Sequence, residues 1–179
     1  MALDDLLQQM LDESRVDAGR DSRRRRRMLQ ALAEESATVR GTLLDVAERE
    51  ADIVVRTVDG QQHRGRVRVV GADFIALVTD AGDTWIPLAA LELIRLAPGE
   101  RAEPATGDRS ALDLELAEAL GRVAPERPSV AVQTLSGETL LGRVRAVGAD
   151  VLTLELGGPG RPACYLRLAS LLSVVFLSV

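Results

Sequence analysis

Apolar and polar residues alternate along short segments in the middle of the chain. In residues 53–58, IVVRTV, one face of a strand would carry positions 53, 55 and 57 and the other positions 54, 56 and 58, and Asp59-Gly60, a dipeptide typical of tight turns, follows. Residues 65–73, GRVRVVGAD, place arginines on one face of a strand and valines on the other, and their glycines mark bulges or bends. Three more short apolar runs follow in residues 74–96. The pattern predicts five short strands with little sequence between them.

The pattern of five strands occurs a second time, 77 residues further along the chain. Three extra residues enter one loop of the second copy, and the correspondence then resumes. Because only two copies are visible, the chain is a tandem pair and not a solenoid, which needs about three repeats or more. The matching stretches are GRVRVVGAD (65–73) with GRVRAVGAD (142–150), IVVRTVDG (53–60) with VAVQTLSG (130–137), and WIPLAALELI (85–94) with YLRLASLLSV (165–174).

Apolar residues at helical spacing precede each copy and also occupy the start of the chain. A stripe over residues 112–120, with Asp108 and Ser110 as capping residues, predicts a helix before the second copy. The helix predicted at the start of the chain is short, so we expect it to dock on its own protein or in a partner's groove. The stripe before the first copy consists of Leu29, Leu32, Ser36, Val39, Leu43 and Val46, and the candidate partner-binding residues are Leu3, Leu6, Leu7, Met10 and Leu11.

Five short, bent strands suit a small closed barrel, because closure removes exposed strand edges. The order of a helix and five strands, with the phrase G-x-V-x-x-V-G-A-D and then WIPL at residues 85–88, resembles bacterial members of the Sm-like family. The resemblance implies strongly bent barrels that associate edge to edge, often in rings, and in many members bind RNA. The expected fold is therefore mainly β with helices (α+β): two Sm-like or SH3-like five-stranded barrels, each preceded by a helix. The expected domains are a helical N-terminal extension (1–36), repeat 1 (37–96), a linker (97–109) and repeat 2 (110–179).

The residues with which Sm-like proteins read RNA are matched only in part. Asp73 and Asp150 correspond to the aspartate of the family's Asp/Asn pair, but the chain contains no asparagine. The family's Arg-Gly between the fourth and fifth strands is absent from both copies. The presence of an aspartate in both copies favours a role as hydrogen-bond acceptor within each turn. We expect the rings of Trp85 and Tyr165, which occupy equivalent positions, to pack against the barrels.

Arginines form two features that suit contact with phosphate. One-faced stripes lie on the second strand of each copy, and nearby acids make a solvated surface the alternative. Five consecutive arginines before the first copy are predicted to form a flexible or solvated arm, with binding of nucleic acid or of an acidic partner as the alternative. The net charge of −5 weighs against nucleic acid. The candidate nucleic-acid-binding residues are Arg23, Arg24, Arg25, Arg26, Arg27, Arg64, Arg66, Arg68, Arg143 and Arg145.

The scarcity of reactive side chains argues against an enzyme. His63, the only histidine, lies beside a turn, where a surface side chain is expected, and Cys164, the only cysteine, enters an apolar strand. No spacing suggests a zinc site or a phosphate-binding loop, so no cofactor, metal or small-molecule substrate is expected. With 46% apolar and 27% charged residues, no apolar span of about 20 residues and no disulfide, we expect a cytoplasmic protein without membrane contact.

The end of the sequence carries a sign of self-association. Residues 171–179, LLSVVFLSV, are apolar on both faces, so we expect this strand to be covered by the first copy or by another subunit, with Val175 and Leu177 as candidate assembly residues. We therefore expect a non-enzymatic scaffold that forms homo-oligomers through strand edges and recruits a protein partner. The alternative is an RNA- or nucleic-acid-binding regulatory protein that holds phosphates with its arginines.

Overall fold

The computed structural model describes residues 37–100, 110–157 and 162–177, together with Arg25 and Met28. The chain divides into two compact units, Met1–Val39 and Arg40–Val179, and every strand of the described residues belongs to the second unit. We call helix α1 with strands β1–β5 the first half, and helix α2 with β6–β10 the second half. The elements are α1 (Val39–Glu48), β1 (Asp52–Thr57), β2 (Gln62–Val70), β3 (Phe74–Thr79), β4 (Gly82–Pro87), β5 (Leu91–Leu96), α2 (Leu116–Val123), β6 (Ser129–Thr134), β7 (Thr139–Val147), β8 (Val151–Leu156), β9 (Ala163–Arg167) and β10 (Leu171–Phe176).

The ten strands form one open antiparallel sheet in the order β5-β1-β2-β3-β4-β10-β6-β7-β8-β9. The prediction of two closed five-stranded barrels, each preceded by a helix, is therefore wrong, and the small barrels that the Sm-like resemblance implied are not formed. The physical reason lies at the centre of the sheet. Strand β4 pairs with β10 of the second half and not with a strand that would close its own half. Helices α1 and α2 are short, at 10 and 8 residues.

The sequence repeat is also a repeat of strand registers. Asp52 lies opposite Arg66 in the first half, and Ser129 lies opposite Arg143 at the same positions of the second half. The register between β2 and β3 shifts after Val67, and the register between β7 and β8 shifts at the corresponding place. Because hydrogen bonding follows the same scheme, the correspondence of 77 residues can be used to compare hydrogen bonds and packing in the two halves.

Buried side chains form two hydrophobic cores, and the central strands contribute to both. The first core includes Ile75 and Leu77 of β3, whereas Phe74 and Ala76 of the same strand belong to the second core. Leu172 of β10 lies in the first core and is 0% exposed, although it belongs to the second half. Each half therefore completes the core of the other, and neither half buries its apolar residues alone.

The predicted start of the second helix is wrong. Helix α2 begins at Leu116, and residues 110–115 are not helical. Their backbone is hydrogen-bonded to the first half instead: the N–H of Leu112 donates to the carbonyl of Val70, and the carbonyl of Leu114 accepts from the N–H of Ala72. These bonds take the place of helical ones. In α1, by contrast, the apolar spacing of the sequence predicted a helix that is formed from Val39 onwards.

Candidate functional site

The junction between β4 and β10 is a pairing of complementary strand edges. Val174 lies opposite Trp85, and Val175 lies opposite Thr84. The indole of Trp85 packs against Phe176 of β10, with ring centroids 4.7 Å apart. It also contacts the ring of Phe74, at 5.5 Å. Hydrogen bonds along the edges and aromatic packing on one face thus hold the two halves together.

A second contact between the halves involves a tight turn. We call residues 70–73 the Asp73 turn and residues 112–116 the docking segment. The N–H of Leu116, the first residue of α2, donates a 2.7 Å hydrogen bond to Oδ1 of Asp73. The N–H of Ala72 donates to the carbonyl of Leu114 at 2.9 Å. The aspartate therefore satisfies an N–H that no helical carbonyl can reach, and it fixes the start of the helix.

Gly71 makes this docking close. A side chain at Gly71 would overlap the ring of Phe74, and its Cβ would lie 2.9 Å from the carbonyl oxygen of Leu114. The backbone of the docking segment can approach the Asp73 turn only because this residue has no Cβ. The aspartate was predicted to accept hydrogen bonds from its own turn, but the bond that its carboxylate makes is to the other half.

The second half carries the same turn, and no described residue is docked on it as the docking segment is on the Asp73 turn. We call residues 147–150 the Asp150 turn. Gly148 N–H donates to Val151 O at 2.8 Å, as Gly71 does to Phe74, and Leu168 N–H donates to Asp150 O at 2.8 Å, as Leu88 does to Asp73. Among the described residues, the carboxylate of Asp150 and the N–H of Ala149 make no hydrogen bond, and both residues are exposed.

The outer strands leave two edges of the sheet unpaired within the described chain. Strand β5 pairs only with β1, and β9 pairs only with β8. Tyr165 of β9 is 71% exposed, whereas Trp85, its counterpart in β4, is half-buried. The expectation that both rings pack against the protein is therefore wrong for Tyr165. The difference arises because β4 has β10 beside it, whereas no strand of the described residues lies beside β9 on that side.

A polar contact between the halves lies near the only histidine. Nε2 of Gln133 donates a 3.0 Å hydrogen bond to Oδ2 of Asp59. Burial acts to raise the pKa of Asp59, but hydrogen bonds from the hydroxyl of Thr57 and the N–H of Gln61 outweigh it, and the pKa is lowered. His63 is half-buried and not a fully exposed surface residue, and burial lowers its pKa, which the charge of Asp59 offsets only in part.

The arginine stripes lie on the surface, and carboxylates accompany one of them. Arg66 forms a 3.0 Å ion pair with Asp52, and Arg68 forms a 3.0 Å ion pair with Asp83. The hydrogen bond from Arg66 holds the pKa of the Asp52 carboxyl below its usual value. These pairs reduce the positive charge that the first stripe offers to a phosphate. The remaining stripe residues, all exposed, are Arg64, Arg143 and Arg145.

The other predicted site residues are distributed as follows. Val175 lies in β10 between β4 and β6, where it pairs with both strands, and Leu177 follows β10 and is 40% exposed. Arg25 is exposed. The remaining arginines of the run and the candidate partner-binding helix lie outside the described residues: Arg23, Arg24, Arg26, Arg27, Leu3, Leu6, Leu7, Met10 and Leu11.

An open depression lies between the Asp73 turn and the Asp150 turn. It is lined by the 3₁₀ turn Leu88–Ala90, by Leu168 and Ala169 of the corresponding turn in the second half, and by Glu115. In the part of the chain that the structure describes, no three Cys, His, Asp or Glu residues are grouped so that they could hold a metal ion. No helix among the described residues is long and apolar enough to cross a membrane.

The sequence matches no model of a known protein family, and no curated protein shows significant similarity to it. The resemblance to the Sm-like family therefore stays a prediction. Sequence reasoning missed the open edge at Tyr165 and the role of Asp73 at the junction. A signal for the edges was present: β5 carries Glu92 and Arg95, whereas the corresponding positions of β10 carry Leu172 and Val175, as expected for a strand enclosed on both sides.

Proposed function

We propose that this protein is a non-enzymatic scaffold that associates with itself by pairing β9 of one copy with β5 of the next. One observation carries the proposal: the chain already contains the same junction between its own halves. Strand β4 corresponds to β9 in the repeat, and β10 corresponds to β5. The pairing of β4 with β10 therefore supplies the geometry of a contact between copies.

The correspondence predicts the register of this contact. Beyond the loop that carries the three extra residues, positions in the two halves differ by 80, so that Trp85 matches Tyr165 and Val174 matches Ile94. Because Trp85 lies opposite Val174, we expect Tyr165 of one copy to lie opposite Ile94 of the next. In the same way Cys164 takes the place of Thr84 and lies opposite Arg95.

The two edges need a partner on physical grounds. An unpaired strand edge exposes a row of N–H and C=O groups that favour pairing with another chain. Tyr165 adds an exposed ring beside one edge, and its burial would contribute to association. Because β5 and β9 are different surfaces, the contact is head-to-tail and produces a ring or a filament. Recruitment of a protein partner by the N-terminal helix stays a prediction.

The only cysteine makes a register-specific test available. Directly opposite residues of antiparallel strands have Cα atoms about 4.5–5.5 Å apart, within the reach of a disulfide. We expect the variant Arg95→Cys to form disulfide-linked dimers and higher species with Cys164 of another copy under mild oxidation. Non-reducing electrophoresis measures the product, and size-exclusion chromatography with light scattering measures the mass of the unmodified protein.

Glu92→Cys is the matched control. This position is three residues from Arg95 on the same strand, about 10 Å away, so its thiol lies beyond the reach of Cys164 in the expected register. Cys164→Ser in the Arg95→Cys background should abolish the product. A monomeric wild-type protein, or equal cross-linking of Arg95→Cys and Glu92→Cys, would contradict the proposal.

The alternative of nucleic-acid binding has weaker support. It is favoured by Arg64, Arg143 and Arg145, which are exposed and make no ion pair among the described residues. Such binding would weaken steeply with salt, because phosphate contacts release counterions. Fluorescence anisotropy with a labelled single-stranded RNA at two salt concentrations measures this. The alternative requires that replacing Arg143 and Arg145 by glutamine reduces the affinity and its salt dependence.

A further inference from the structure

We propose that the Asp150 turn of one copy binds the residues preceding α1 of the next copy, with the Asp150 carboxylate accepting the backbone N–H of Val39. This inference rests on the proposed self-association and adds a second contact to it. The edge contact aligns two strands, whereas this contact would fix the position of a helix against the neighbouring copy. The docked occupant is a second copy of this chain.

Helices α1 and α2 begin at equivalent positions of the repeat. Helix α1 begins at Val39 and α2 begins at Leu116, which are the same 77 residues apart as Asp73 and Asp150. In the first half, Asp73 binds the N–H of Leu116 and the N–H of Ala72 binds the carbonyl of Leu114. The same bonds between copies would join Asp150 to the N–H of Val39, and the N–H of Ala149 to the carbonyl of Ala37.

The Asp150 carboxylate and the first residue of α1 are both exposed. Leu116 is 4% exposed where it is docked, whereas its counterpart Val39 is 55% exposed. The Asp150 carboxylate has no hydrogen-bond partner among the described residues. A Cβ at Gly148 would contact Val151 alone, at 3.0 Å and 3.8 Å, whereas a Cβ at Gly71 would also meet the docked backbone. The Asp150 turn thus has the form of the Asp73 turn, and none of the described residues occupies it.

The segment before α1 of a second copy is the proposed occupant of the Asp150 turn. Among the described residues, short segments precede both α1 and α2, and the one before α2 is already bound to the Asp73 turn. The other precedes α1, whose Leu43 and Val46 are buried in the first core, in the half that carries the free β5 edge. Pairing of β4 with β10 accompanies the docking of α2. Pairing of β5 with β9 of another copy would bring α1 to the Asp150 turn in the same way.

The charges at the proposed contact are complementary. Arg40 follows Val39 at the position that Ala117 has after Leu116, and Ala117 lines the depression beside Asp73. In the proposed contact Arg40, which is half-buried with its Nε enclosed in its own chain, would therefore lie on the same side of the turn as the Asp150 carboxylate, in the depression that Glu115 also lines. Ala117 at the junction within the chain thus corresponds to Arg40 at the proposed junction between chains.

The experiment compares the association constants of wild type, Asp150→Ala and Val39→Pro, measured by sedimentation over a dilution series. Proline at the first position of a helix keeps the helix and removes only the N–H. We expect each variant to lower the association constant on the order of tenfold, the loss of one hydrogen bond to a charged group. Val39→Ala is the matched control, because it shortens the side chain and keeps the donor, so we expect a smaller loss.

The double variant Asp150→Ala/Val39→Pro should associate about as well as either single variant, because both remove the same hydrogen bond. Thermal unfolding of dilute monomer should be unchanged in Asp150→Ala and lowered in Asp73→Ala, whose hydrogen bond lies within the chain. Unchanged association of Asp150→Ala and Val39→Pro would overturn the proposed contact between the Asp150 turn and the start of α1, and would leave the edge pairing standing. A wild-type protein that does not associate would overturn both, and additive losses in the double variant would overturn the direct bond.

Discussion

Leu172→Ala tests whether the two halves form one cooperative unit. Leu172 lies on β10 of the second half, yet its side chain is 0% exposed in the core of the first half. Removal of a buried leucine side chain costs about 2–5 kcal/mol, depending on how far the cavity collapses. At roughly 2–4 °C per kcal/mol for a protein of this size, a loss of about 3 kcal/mol lowers the melting temperature by roughly 6–12 °C.

Two probes follow the unfolding of this variant. Trp85 is the only tryptophan and packs against Phe176 of β10, so its fluorescence reports the junction of the halves, while far-ultraviolet circular dichroism reports the whole sheet. We expect both signals to shift together in one transition. Leu141→Ala is the control, because this side chain is 62% exposed, and its effect should stay within about 0.5 kcal/mol. An unchanged melting temperature, or two separate transitions, would refute the shared core.

Two further predictions concern the pH dependence and the glycines. Because burial lowers the folded-state pKa of His63 below 6.5, the unfolded chain binds the proton more readily, and the free energy of unfolding should fall as pH drops below about 6.5. Urea titrations at pH 7.5 and 5.5 measure this fall, which should be smaller in His63→Gln than in the wild type. An equal fall in the two proteins would count against His63 as the cause. The lowered pKa of Asp59 adds a separate loss only below about pH 3.8. Gly65→Ala should destabilise the protein by about 1–3 kcal/mol in urea unfolding, because its Cβ would overlap the carbonyl of Val78. Gly121→Ala should stabilise the protein by about 0.5–1 kcal/mol, because this residue lies in a helix with open space around it. The reverse order of stabilities would contradict the packing described.

The strands and their repetition could be predicted from the sequence because they depend on neighbours in the chain. The period of two along β1 places Ile53, Val55 and Thr57 on one face, and all three are buried. Gly65 and Gly142 lie where a Cβ would overlap or crowd the backbone of the adjacent strand, so each half needs a glycine at the same place. Residues a few positions apart carry this information.

The sequence predicted that β10 would be covered by the first copy or by another subunit, and tertiary structure decided between the two: β10 pairs with β4 of the first half. A strand edge makes the same hydrogen bonds whether it closes its own half into a barrel or continues into another half, so the pattern of β4 and β10 does not distinguish the two arrangements. The choice depends on contacts between distant residues: Trp85 with Phe176, Asp73 with the start of α2, and Leu172 in the first core. Local alternation and turn residues fix which segments become strands, whereas long-range packing selects the partner of each edge.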